Sequence, residues 1–530
     1  MIPMFFINGV SLGAIFVWIT IQLYGWSLRK QNKIHRRNLL RGLGHKEDDD
    51  KTVLGFFHPY CNAGGGGERV LWTAIAHVQR TRPNVVSVVY SGDTDATKQE
   101  ILAKVQSRFN IELDHSSLEF VFLHSRRWVE DSAWPRLTLL GQSIGSMWLA
   151  WEAMSKLIPD LYIDTMGYAF SFHIASLLGR VPIGAYVHYP TISTDMVKRV
   201  QSRTRWHTNT DSISSSAFLS QAKLLYYRLF MYYYAVSLRT ASFLMVNSTW
   251  TKEHIDAILQ YSNPILDILN LLPPLVLLKL FTSNNAPKSA TIVYPPCDTK
   301  ELSLFGLEKR ERVILSLAQF RPEKDHSAQI HAFHQLLEKH PEYKTDKHLG
   351  VRLLLIGGSR NEGDAGRVAQ LRGLVGELGI EDHVEFIVNA PYATVLDWLS
   401  RASVGLSTMV DEHFGINIVE YMASLSSSVP SALPSIYLCS ASAAGVIPVT
   451  HASGGPLKDI VVPLGGEITG YHAKTPTEFS EAFHRVLSLS ADEDLAMRRR
   501  ARTWAVQTFS EAEFEKGFDA SRWDRYVRPS

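Results

Sequence analysis

Short apolar runs alternate with longer amphipathic segments along most of the chain, and this alternation predicts strands and helices in turn. From residue 52 the strand-like runs are Val53–His58, Val85–Ser91, Leu118–Leu123, Leu161–Asp164 and Ile183–His188. The segments between them have helical spacing of apolar residues, over Gly67–Arg80, Asp95–Phe109, Thr138–Met154 and Phe170–Leu178. Such an alternation is typical of a doubly wound parallel sheet.

The same pattern begins again near Arg312 and predicts a second α/β unit. Its strand-like runs are Val313–Leu317, Arg352–Ile356, Val384–Val388, Val404–Ser407 and Val446–Thr450, and helical spacing returns over Ala491–Phe509 and Glu511–Ala520. We therefore predict two Rossmann-like units, 52–290 and 291–510, and a C-terminal helix within 511–530. Because ligands of open parallel sheets bind at the carboxyl ends of the strands, the two units are expected to face each other across a cleft.

The first part of the chain departs from this pattern. Met4 to Trp26 contains no charged side chain, and a bilayer-spanning helix needs on the order of 20 apolar residues. Basic residues are frequent from Arg29 to Arg41, and the tendency of Lys and Arg to stay on the cytosolic side places the rest of the chain in the cytosol. The sequence thus predicts an uncleaved, single-pass N-terminal transmembrane helix over 1–28 and a linker over 29–51. A cleaved signal peptide is the alternative.

Two further segments interrupt the α/β pattern. Phe218–Phe281 is rich in tyrosine and basic residues, which favours either a peripheral membrane contact or helices that cover the sheet. Its apolar part, Pro264–Phe281, contains Pro273-Pro274, which would break a spanning helix at its centre. Ser424–Ser442 lengthens a helix-to-strand connection that usually takes about 2 to 6 residues. It is predicted to be a long loop or an insertion, such as a translated unspliced segment.

Composition excludes several classes of function. The 54 basic and 52 acidic residues nearly cancel, so the net charge gives no reason to expect a nucleic-acid partner. The cysteines, Cys61, Cys297 and Cys439, are odd in number and widely separated, which fits neither a disulfide framework nor a clustered metal site. A reducing compartment is therefore expected.

A glycine-rich segment between the first strand and the first helix is the first candidate for chemistry. Asn62–Arg69 follows His58 and includes Gly64, Gly65 and Gly66. Glycine lets the backbone approach a ligand closely, and the N-terminus of the next helix favours negative charge, so the segment predicts a phosphate or sugar loop. The spacing matches neither a dinucleotide-binding fingerprint nor a P-loop, and a plain turn is the alternative.

Two further segments carry charge at the start of helices in the second unit. In Gln319–Asp325, Arg321 and Lys324 can neutralise a diphosphate, although a solvated surface cluster is the alternative. In Asp411–Glu420, the two glutamates Glu412 and Glu420 are eight positions apart, one before the helix and one just over a turn inside it. They can reach two separate hydroxyl clusters of one ligand, such as the hexose and ribose of a nucleotide sugar. The alternative, an acidic helix start that complements the helix dipole, explains Glu412 but not the whole arrangement.

Several blocks of sequence carry a resemblance to a known family. They are Phe56–Trp72, Tyr186–Ser193, Ile292–Asp298 and Gln319–Lys324, together with the E-x7-E spacing of Glu412 and Glu420. With these blocks the chain resembles the retaining glycosyltransferases of family 4, which have the two-domain GT-B architecture. The resemblance covers almost everything after the predicted anchor.

The longer blocks resemble those family members that add α-1,2-linked mannose from GDP-mannose to a dolichyl-diphosphate oligosaccharide on the cytosolic face of the endoplasmic reticulum. The resemblance implies that donor, that acceptor and that membrane, and it implies no cofactor and no metal. Other mannosyltransferases of lipid-linked oligosaccharides become candidate partners. Two alternatives remain open, a transferase for another lipid such as an inositol glycolipid or a sterol, and a catalytically dead scaffold that binds sugar nucleotide.

The resemblance also implies roles for single residues. It assigns Glu412 to the transferred sugar, Glu420 to the ribose, and Arg321 and Lys324 to the diphosphate. His188 matches a histidine near the sugar, although many members have arginine where this chain has Gln319. The implied catalytic residues are Glu412, His188 and Lys324, and the implied donor-binding residues are Gly64, Gly65, Gly66, Arg321, Lys324, Phe414, Gly415 and Glu420.

Overall fold

The computed structural model describes most of the chain. The described residues are 2–46, 50–202, 217–270, 287–297, 310–346, 348–423 and 445–527, without the side chains of 2–12, 14, 217 and 218. The predicted insertion Ser424–Ser442 and the proline pair Pro273-Pro274 lie outside these residues.

The strands form two sheets in which every neighbouring pair is parallel. The first sheet has the order β3-β2-β1-β4-β5-β6-β7 and the second the order β10-β9-β8-β11-β12-β13. The strands are β1 Thr52–Phe57, β2 Val85–Ser91, β3 Leu118–Phe122, β4 Leu161–Asp164, β5 Ile183–Val187, β6 Phe243–Val246, β7 Thr291–Ile292, β8 Glu311–Leu317, β9 Arg352–Gly357, β10 Val384–Val388, β11 Ala402–Ser407, β12 Ile447–His451 and β13 Tyr471–Ala473.

Helices connect the strands of both sheets. The α-helices among the described residues are α1 Ile2–Gly42, α2 Gly66–Thr81, α3 Lys98–Phe109, α4 Thr138–Lys156, α5 Ser171–Ile174, α6 Thr194–Gln201, α7 Ala217–Leu238, α8 Thr249–Leu259, α9 Pro264–Leu269, α10 His326–Lys339, α11 Glu342–Thr345, α12 Glu362–Glu377, α13 Tyr392–Arg401, α14 Ile416–Ala423, α15 Pro476–Leu487, α16 Ala491–Phe509 and α17 Glu511–Ala520. Single helical turns of other types lie at Ala175–Gly179, Pro322–Lys324 and Pro456–Ile460, among others.

The sequence predicts this architecture because the strands are continuous apolar runs. In β1 and β2 every residue is buried, which is the pattern of strands covered by helices on both faces. Val85–Ser91 and Leu161–Asp164 are predicted with both ends correct. The predicted helix Phe170–Leu178 is split into α5 and a wider single turn, Ala175–Gly179.

The chain divides into two compact units, each built on one sheet. The first contains Met1–Asn247, Thr251–Pro295 and Glu515–Ser530, and the second contains Ser248–Trp250 and Pro296–Phe514. The end of the chain therefore returns to the first unit. There His77 of α2 lies 3.0 Å from Asp519 Oδ1, and Arg80 pairs with Glu515 at 2.6 Å.

Helix α1 is longer than the predicted anchor and includes much of the predicted linker. It continues to Gly42 because the basic stretch after Trp26 is free of proline and rich in good helix formers. Its C-terminal half is fixed to the first unit. Asn32 exchanges two hydrogen bonds with the backbone of Ile158, at 2.8 and 2.9 Å, and Arg36 pairs with Asp160 at 2.7 Å.

The residues of the predicted transmembrane helix are helical, but a membrane span is not shown. The predicted span Met4–Trp26 falls partly on residues whose side chains are not described. Over the described part of the chain, no helix has the length and apolar content needed to cross a bilayer.

The tyrosine-rich region is not one helical segment. It contains α7, then β6, which pairs with β5 and β7 inside the first sheet, and then α8 and α9. Tyr227, Tyr232 and Tyr234 are buried. For these three tyrosines the alternative of helices that cover the sheet is the correct one.

Candidate active site

Most candidate residues of each unit lie near the point where the strand order reverses, and His188 follows β5 on the same edge of the first sheet. In the first sheet the chain runs outward from β1 to β3 and then restarts at β4 on the other side of β1. In the second sheet the same reversal separates β8 from β11. The crevice outside the carboxyl ends of two such strands is the usual ligand site of open α/β sheets.

In the first unit, the glycine-rich segment follows β1 and is held by charged side chains from its surroundings. The backbone N–H of Asn62 donates to Asp93 Oδ2 at 2.9 Å, and Asp93 also pairs with Arg126. On the other side, Lys104 Nζ of α3 donates to the carbonyl of Asn62 at 2.6 Å. Arg108 Nε donates to the carbonyl of Gly64 at 3.4 Å. The loop conformation is therefore fixed without a ligand.

The N-terminus of α2 already carries a negative charge from the chain itself. Gly65 is the N-cap residue, and its N–H donates to Glu68 Oε2 at 2.5 Å. This carboxylate is buried and takes the place that the sequence predicts for a ligand phosphate. Gly64, with a φ of +81°, turns the chain into the helix in a conformation that favours glycine.

Two histidines lie at the same edge of the first sheet. His58 follows β1, is fully buried, and has Nδ1 2.7 Å from Thr165 Oγ1, which follows β4. Burial, and next the proximity of His188, lowers the pKa of His58 to about 3, so the ring is neutral. Its Nε2 has no hydrogen-bond partner among the described residues. His188 follows β5 and packs against Tyr186, with ring centroids 4.8 Å apart.

In the second unit, two of the predicted residues are brought into direct contact. Lys324 Nζ lies 2.6 Å from Glu412 Oε2, and 3.1 Å from Met409 Sδ. The side chains of Lys324 and Glu412 are largely buried, with exposed fractions of 23% and 11% respectively. The cation assigned to the diphosphate and the acid assigned to the sugar thus form one ion pair at the reversal between β8 and β11.

Backbone contacts hold Lys324 in place. Thr408 Oγ1, just after β11, donates to the carbonyl of Lys324 at 2.8 Å, and Gln329 of α10 donates to Thr408 Oγ1 at 2.9 Å. Asp325 has a φ of +45° and caps α10 by accepting from the N–H of Ala328 at 3.2 Å. These bonds connect the loop after β8 to the loop after β11.

The turn that follows β12 contacts the backbone of Glu412 and of Asp411 and holds it in place. Gly455 N–H donates to the carbonyl of Glu412 at 2.8 Å. A Cβ on Gly454, whose φ is +63°, would lie 2.2 Å from that same carbonyl oxygen, so only glycine fits there. Next to it, Ser453 Oγ accepts from the N–H of Asp411 at 2.7 Å. Sequence reasoning missed this turn, although the pair Gly454-Gly455 after a strand-like run was a usable signal.

The rest of the E-x7-E segment is ordered by packing. Gly415 has a φ of +101°, and α14 begins at the next residue, so Glu420 lies one turn inside the helix as predicted. Phe414 is buried against Phe509, with ring centroids 5.4 Å apart. The ring of Phe414 therefore belongs to the core, and only its backbone is available to a donor. Tyr421 fixes α14 to the sheet by donating to Leu406 O at 3.3 Å.

Arg321 lies at the start of the same loop, half-buried, and its N–H donates to the carbonyl of Gln319 at 2.7 Å. Nearby, burial lowers the pKa of His326 to about 4, with Lys324 adding to the effect. Among the described residues, no group of three or more His, Cys, Asp or Glu side chains could hold a metal ion.

Comparison with known proteins matches both units to glycosyltransferase families. The family model "ALG11 mannosyltransferase N-terminus" matches residues 51–259, and the model "Glycosyl transferases group 1" matches residues 300–425. A human protein named GDP-Man:Man(3)GlcNAc(2)-PP-Dol alpha-1,2-mannosyltransferase is 41% identical, with 98% of this chain and 95% of the human chain covered. The protein of the same name from Dictyostelium discoideum is 42% identical, with 92% and 86% covered.

A solved structure shares the fold at low identity. It is described as "Trehalose-6-phosphate from E. coli bound with UDP-2-fluoro glucose" and has a TM-score of 0.59 at 12% identity, with 90% of this chain and 100% of that chain covered. Together with the two parallel sheets, this similarity confirms the predicted GT-B class of fold.

Proposed function

Because the chain belongs to the family of GDP-Man:Man(3)GlcNAc(2)-PP-Dol alpha-1,2-mannosyltransferases, we propose that it transfers mannose from GDP-mannose to a dolichyl-diphosphate oligosaccharide. The transfer forms an α-1,2 linkage and retains the α configuration of the donor.

The contact between Lys324 and Glu412 is the observation that carries this proposal. It joins the cation of the loop after β8 to the first glutamate of the E-x7-E segment, 2.6 Å apart. A sugar diphosphate presents hydroxyls next to a negatively charged phosphate, so it offers Glu412 and Lys324 separate partners. Binding then exchanges the internal ion pair for two contacts with the donor.

The reaction breaks the bond between mannose C1 and the diphosphate oxygen and forms a bond between C1 and an acceptor hydroxyl oxygen. The leaving diphosphate stays on the same face of the sugar and takes the proton of that hydroxyl, and GDP is released. Negative charge develops on the diphosphate as the bond breaks. Lys324 and Arg321 stabilise this charge, so a divalent ion is not needed.

The remaining residues are assigned to substrate binding. Glu412 binds hydroxyls of the mannose, and Glu420, one turn inside α14, binds the ribose of GDP. His188 is assigned to the sugar by the family resemblance. In the glycine-rich loop, the N–H groups of Gly64 and Gly66 are the donors assigned to the nucleotide sugar, while that of Gly65 is bonded to Glu68.

A transfer assay tests the proposal directly. Purified protein is incubated with radiolabelled GDP-mannose and Man(3)GlcNAc(2)-PP-dolichol, and the lipid product is digested with an α-1,2-specific mannosidase. We expect label in the lipid fraction that the mannosidase releases. Lys324→Ala is expected to lose this activity, whereas Lys344→Ala, an exposed lysine on α11, serves as the matched control.

The same assay separates the alternatives. Label that enters an inositol glycolipid or a sterol and leaves the dolichyl acceptor unlabelled would overturn the acceptor assignment. Binding of GDP-mannose without transfer to any lipid would point to a scaffold and overturn the enzymatic assignment.

We further propose that the protein is anchored in the endoplasmic reticulum membrane by a single pass of α1, with its catalytic units in the cytosol. Exposed apolar side chains in the part of α1 before Arg29, such as Phe16, Leu23 and Trp26, support this location. Hydrogen bonds with the rest of the first unit begin at Gln22, which accepts from Arg180 at 2.6 Å, and continue at Arg29, which donates to Leu178 O at 2.6 Å. Basic residues follow from Arg29 onward.

A second apolar surface next to α1 also supports a membrane location. Leu140, Ile144 and Trp148 are exposed on one side of α4 at helical spacing, and Leu137, just before the helix, is exposed as well. Helix α4 contacts α1, where Trp151 donates to the hydroxyl of Tyr24 at 3.1 Å. A lipid bilayer that surrounds the first half of α1 would cover this stripe as well.

Protease protection tests the orientation. In sealed microsomes, a tag after residue 530 is expected to be digested without detergent, and a glycosylation tag at the N-terminus is expected to be modified. Protection of the C-terminal tag would refute the orientation.

The acceptor of this reaction must itself be mannosylated beforehand. Other mannosyltransferases of lipid-linked oligosaccharides are therefore proposed partners, to be tested by co-purification.

A further inference from the structure

The carboxyl ends of β5 and β6 bring His188 and Asn247 side by side. The two strands are parallel, and the last pair in their register is Val187 with Val246. His188 and Asn247 are the next residue in each strand, so they lie at the edge of the sheet where the candidate site is. Asn247 is almost completely buried there.

The side chain of Asn247 adds a hydrogen bond between β5 and β6, one residue beyond the last pair of the two strands. Its Nδ2 donates to the carbonyl oxygen of His188 at 2.9 Å, and its Oδ1 accepts from Thr251 Oγ1 at 2.6 Å. Only one orientation of the amide can make the bond to His188, because the carbonyl oxygen accepts and cannot donate. Thr251, fully buried in α8, donates to the other end of the amide and so holds Asn247 in this position.

The backbone contact determines where the His188 imidazole lies. Its ring packs on Tyr186, whose hydroxyl is itself bonded to Val293 O at 2.7 Å. Its Nε2 is near the first turn of α2, since an added Cβ on Gly67 would lie 3.5 Å from it. With its backbone held by Asn247, the ring has little freedom to move away from the glycine-rich loop.

We propose that Asn247 and Thr251 are a positioning pair for His188, holding its imidazole in place for the sugar. This inference rests on the proposed function, because it takes the role of His188 from there. Neither residue touches substrate in this account. Both act through the position of the His188 ring, for which a shift of about 1 Å can cost about 100-fold in rate.

The same contacts make the sequon Asn247-Ser248-Thr249 unusable in the folded protein. A glycan would be attached to Asn247 Nδ2, which is buried and donates to His188 O. In the second unit, the N–H of Thr249 donates to Asp459 Oδ2 at 3.0 Å, and its hydroxyl also bonds to that carboxylate. A glycan on Asn247 would therefore be incompatible with the described fold.

Steady-state kinetics of matched variants test the positioning role. Asn247→Ala is expected to lower kcat by about 10- to 100-fold while the KM for GDP-mannose stays within about threefold. Thr251→Val, which removes the hydroxyl and keeps the shape, should have a smaller effect in the same direction, and Thr251→Ser should restore the rate. Asn263 caps α9 in the same unit, and its Oδ1 accepts from two N–H groups at 3.1 Å. Asn263→Ala removes this cap and is the control for a loss of stability alone.

A double variant tells positioning from a general loss of structure. Because Asn247 acts through His188, Asn247→Ala is expected to cause no further loss of kcat in a His188→Ala background. Additive losses would overturn the inference, as would equal rates for Thr251→Val and Thr251→Ser below that of the unmodified protein.

Chemical modification gives a readout that does not need transfer activity. Diethyl pyrocarbonate labels accessible imidazoles, and the labelling of His188 can be followed by mass spectrometry. Asn247→Ala and Thr251→Val should increase the rate at His188, whereas Asn263→Ala should not. An unchanged rate would refute the positioning pair, whereas a failed transfer assay with altered labelling would refute only the proposed function.

Discussion

Replacing Lys324 by alanine is expected to lower the rate of mannose transfer by about 100- to 1000-fold. The ammonium group lies 2.6 Å from Glu412, and 23% of its side chain is exposed, so water screens it only in part. At an effective dielectric constant of about 20, a unit charge about 4 Å from the leaving phosphate contributes roughly 4 kcal/mol. Each 1.4 kcal/mol or so corresponds to a factor of ten in rate, so the expected loss reaches about 1000-fold.

Part of the effect of this substitution is on stability, which has to be separated from the rate. Alanine leaves Glu412, with 8% of the residue exposed, without its nearest cation, and an unpaired group of this kind costs about 1 to 3 kcal/mol. The melting temperature is therefore expected to fall as well. Adding Glu412→Gln removes the unpaired charge, so the double variant should recover stability and remain inactive.

Initial rates with radiolabelled GDP-mannose, measured on folded protein below its melting temperature, give kcat and KM for each variant. Lys324→Arg keeps the charge but not its geometry, so its rate should lie between those of alanine and lysine. Lys344→Ala should match the unmodified protein. If Lys324→Ala transferred mannose within about threefold of the unmodified rate, the assignment of Lys324 to the leaving group would be wrong.

Three further predictions concern charge. Excess EDTA should leave the transfer rate unchanged, because cationic side chains stabilise the diphosphate, and a complete loss that Mn²⁺ restores would contradict this. Glu420→Gln should raise the KM for GDP-mannose about tenfold with little change in kcat, since a ribose contact is made equally before and during the reaction. Lowering the pH from about 6.5 to 4 should destabilise the fold. Burial holds the pKa of His173 and His326 at about 4 and that of His58 at about 3, so the unfolded chain takes up three protons that the native state does not. Asp164, whose pKa burial raises to about 7, already holds a proton in the native state over most of this range while the unfolded carboxylate does not, and this opposes the loss. The net difference approaches two protons in the middle of this range, where the slope reaches roughly 2 to 3 kcal/mol per pH unit, and a melting temperature that does not fall between these pH values would contradict it.

The strands that the sequence predicts best are those with enough apolar residues to show a pattern. Leu161–Asp164 is short, but Val85–Ser91 and its neighbours are continuous apolar runs bounded by polar residues. The strands that were missed, Phe243–Val246, Thr291–Ile292 and Tyr471–Ala473, lie at or next to a sheet edge and have four, two and three residues. Two or three residues give no usable periodicity. Phe243–Val246 is as long as the correctly predicted Leu161–Asp164, and there the tyrosine-rich neighbourhood hid the change from helix to strand.

The positions of the site residues could be predicted, but not their contacts. Motif and context place Lys324 and Glu412 after strands, yet they are 88 positions apart in sequence. They meet because β8 and β11 are neighbours in the sheet, and strand order depends on the packing of the whole unit. The same holds for Asn247 and His188, which are 59 positions apart and meet through the pairing of β5 with β6. Local sequence carries no signal for such a neighbourhood.

Deleting the predicted insertion 424–442 is expected to leave fold and activity intact, because the described residues on either side of it already touch. Val446 N–H donates to the carbonyl of Tyr421 at 2.7 Å, and an added Cβ on Gly445 would lie 2.1 Å from the carbonyl oxygen of Met422. The end of α14 and the approach to β12 are therefore close enough for Ala443-Ala444 alone to join them, a length typical of such connections. The shortened protein should melt at the same temperature and transfer mannose at least as fast as the full chain. A lower melting temperature would show that the segment supports the second unit, and loss of transfer at an unchanged melting temperature would show that it takes part in the reaction.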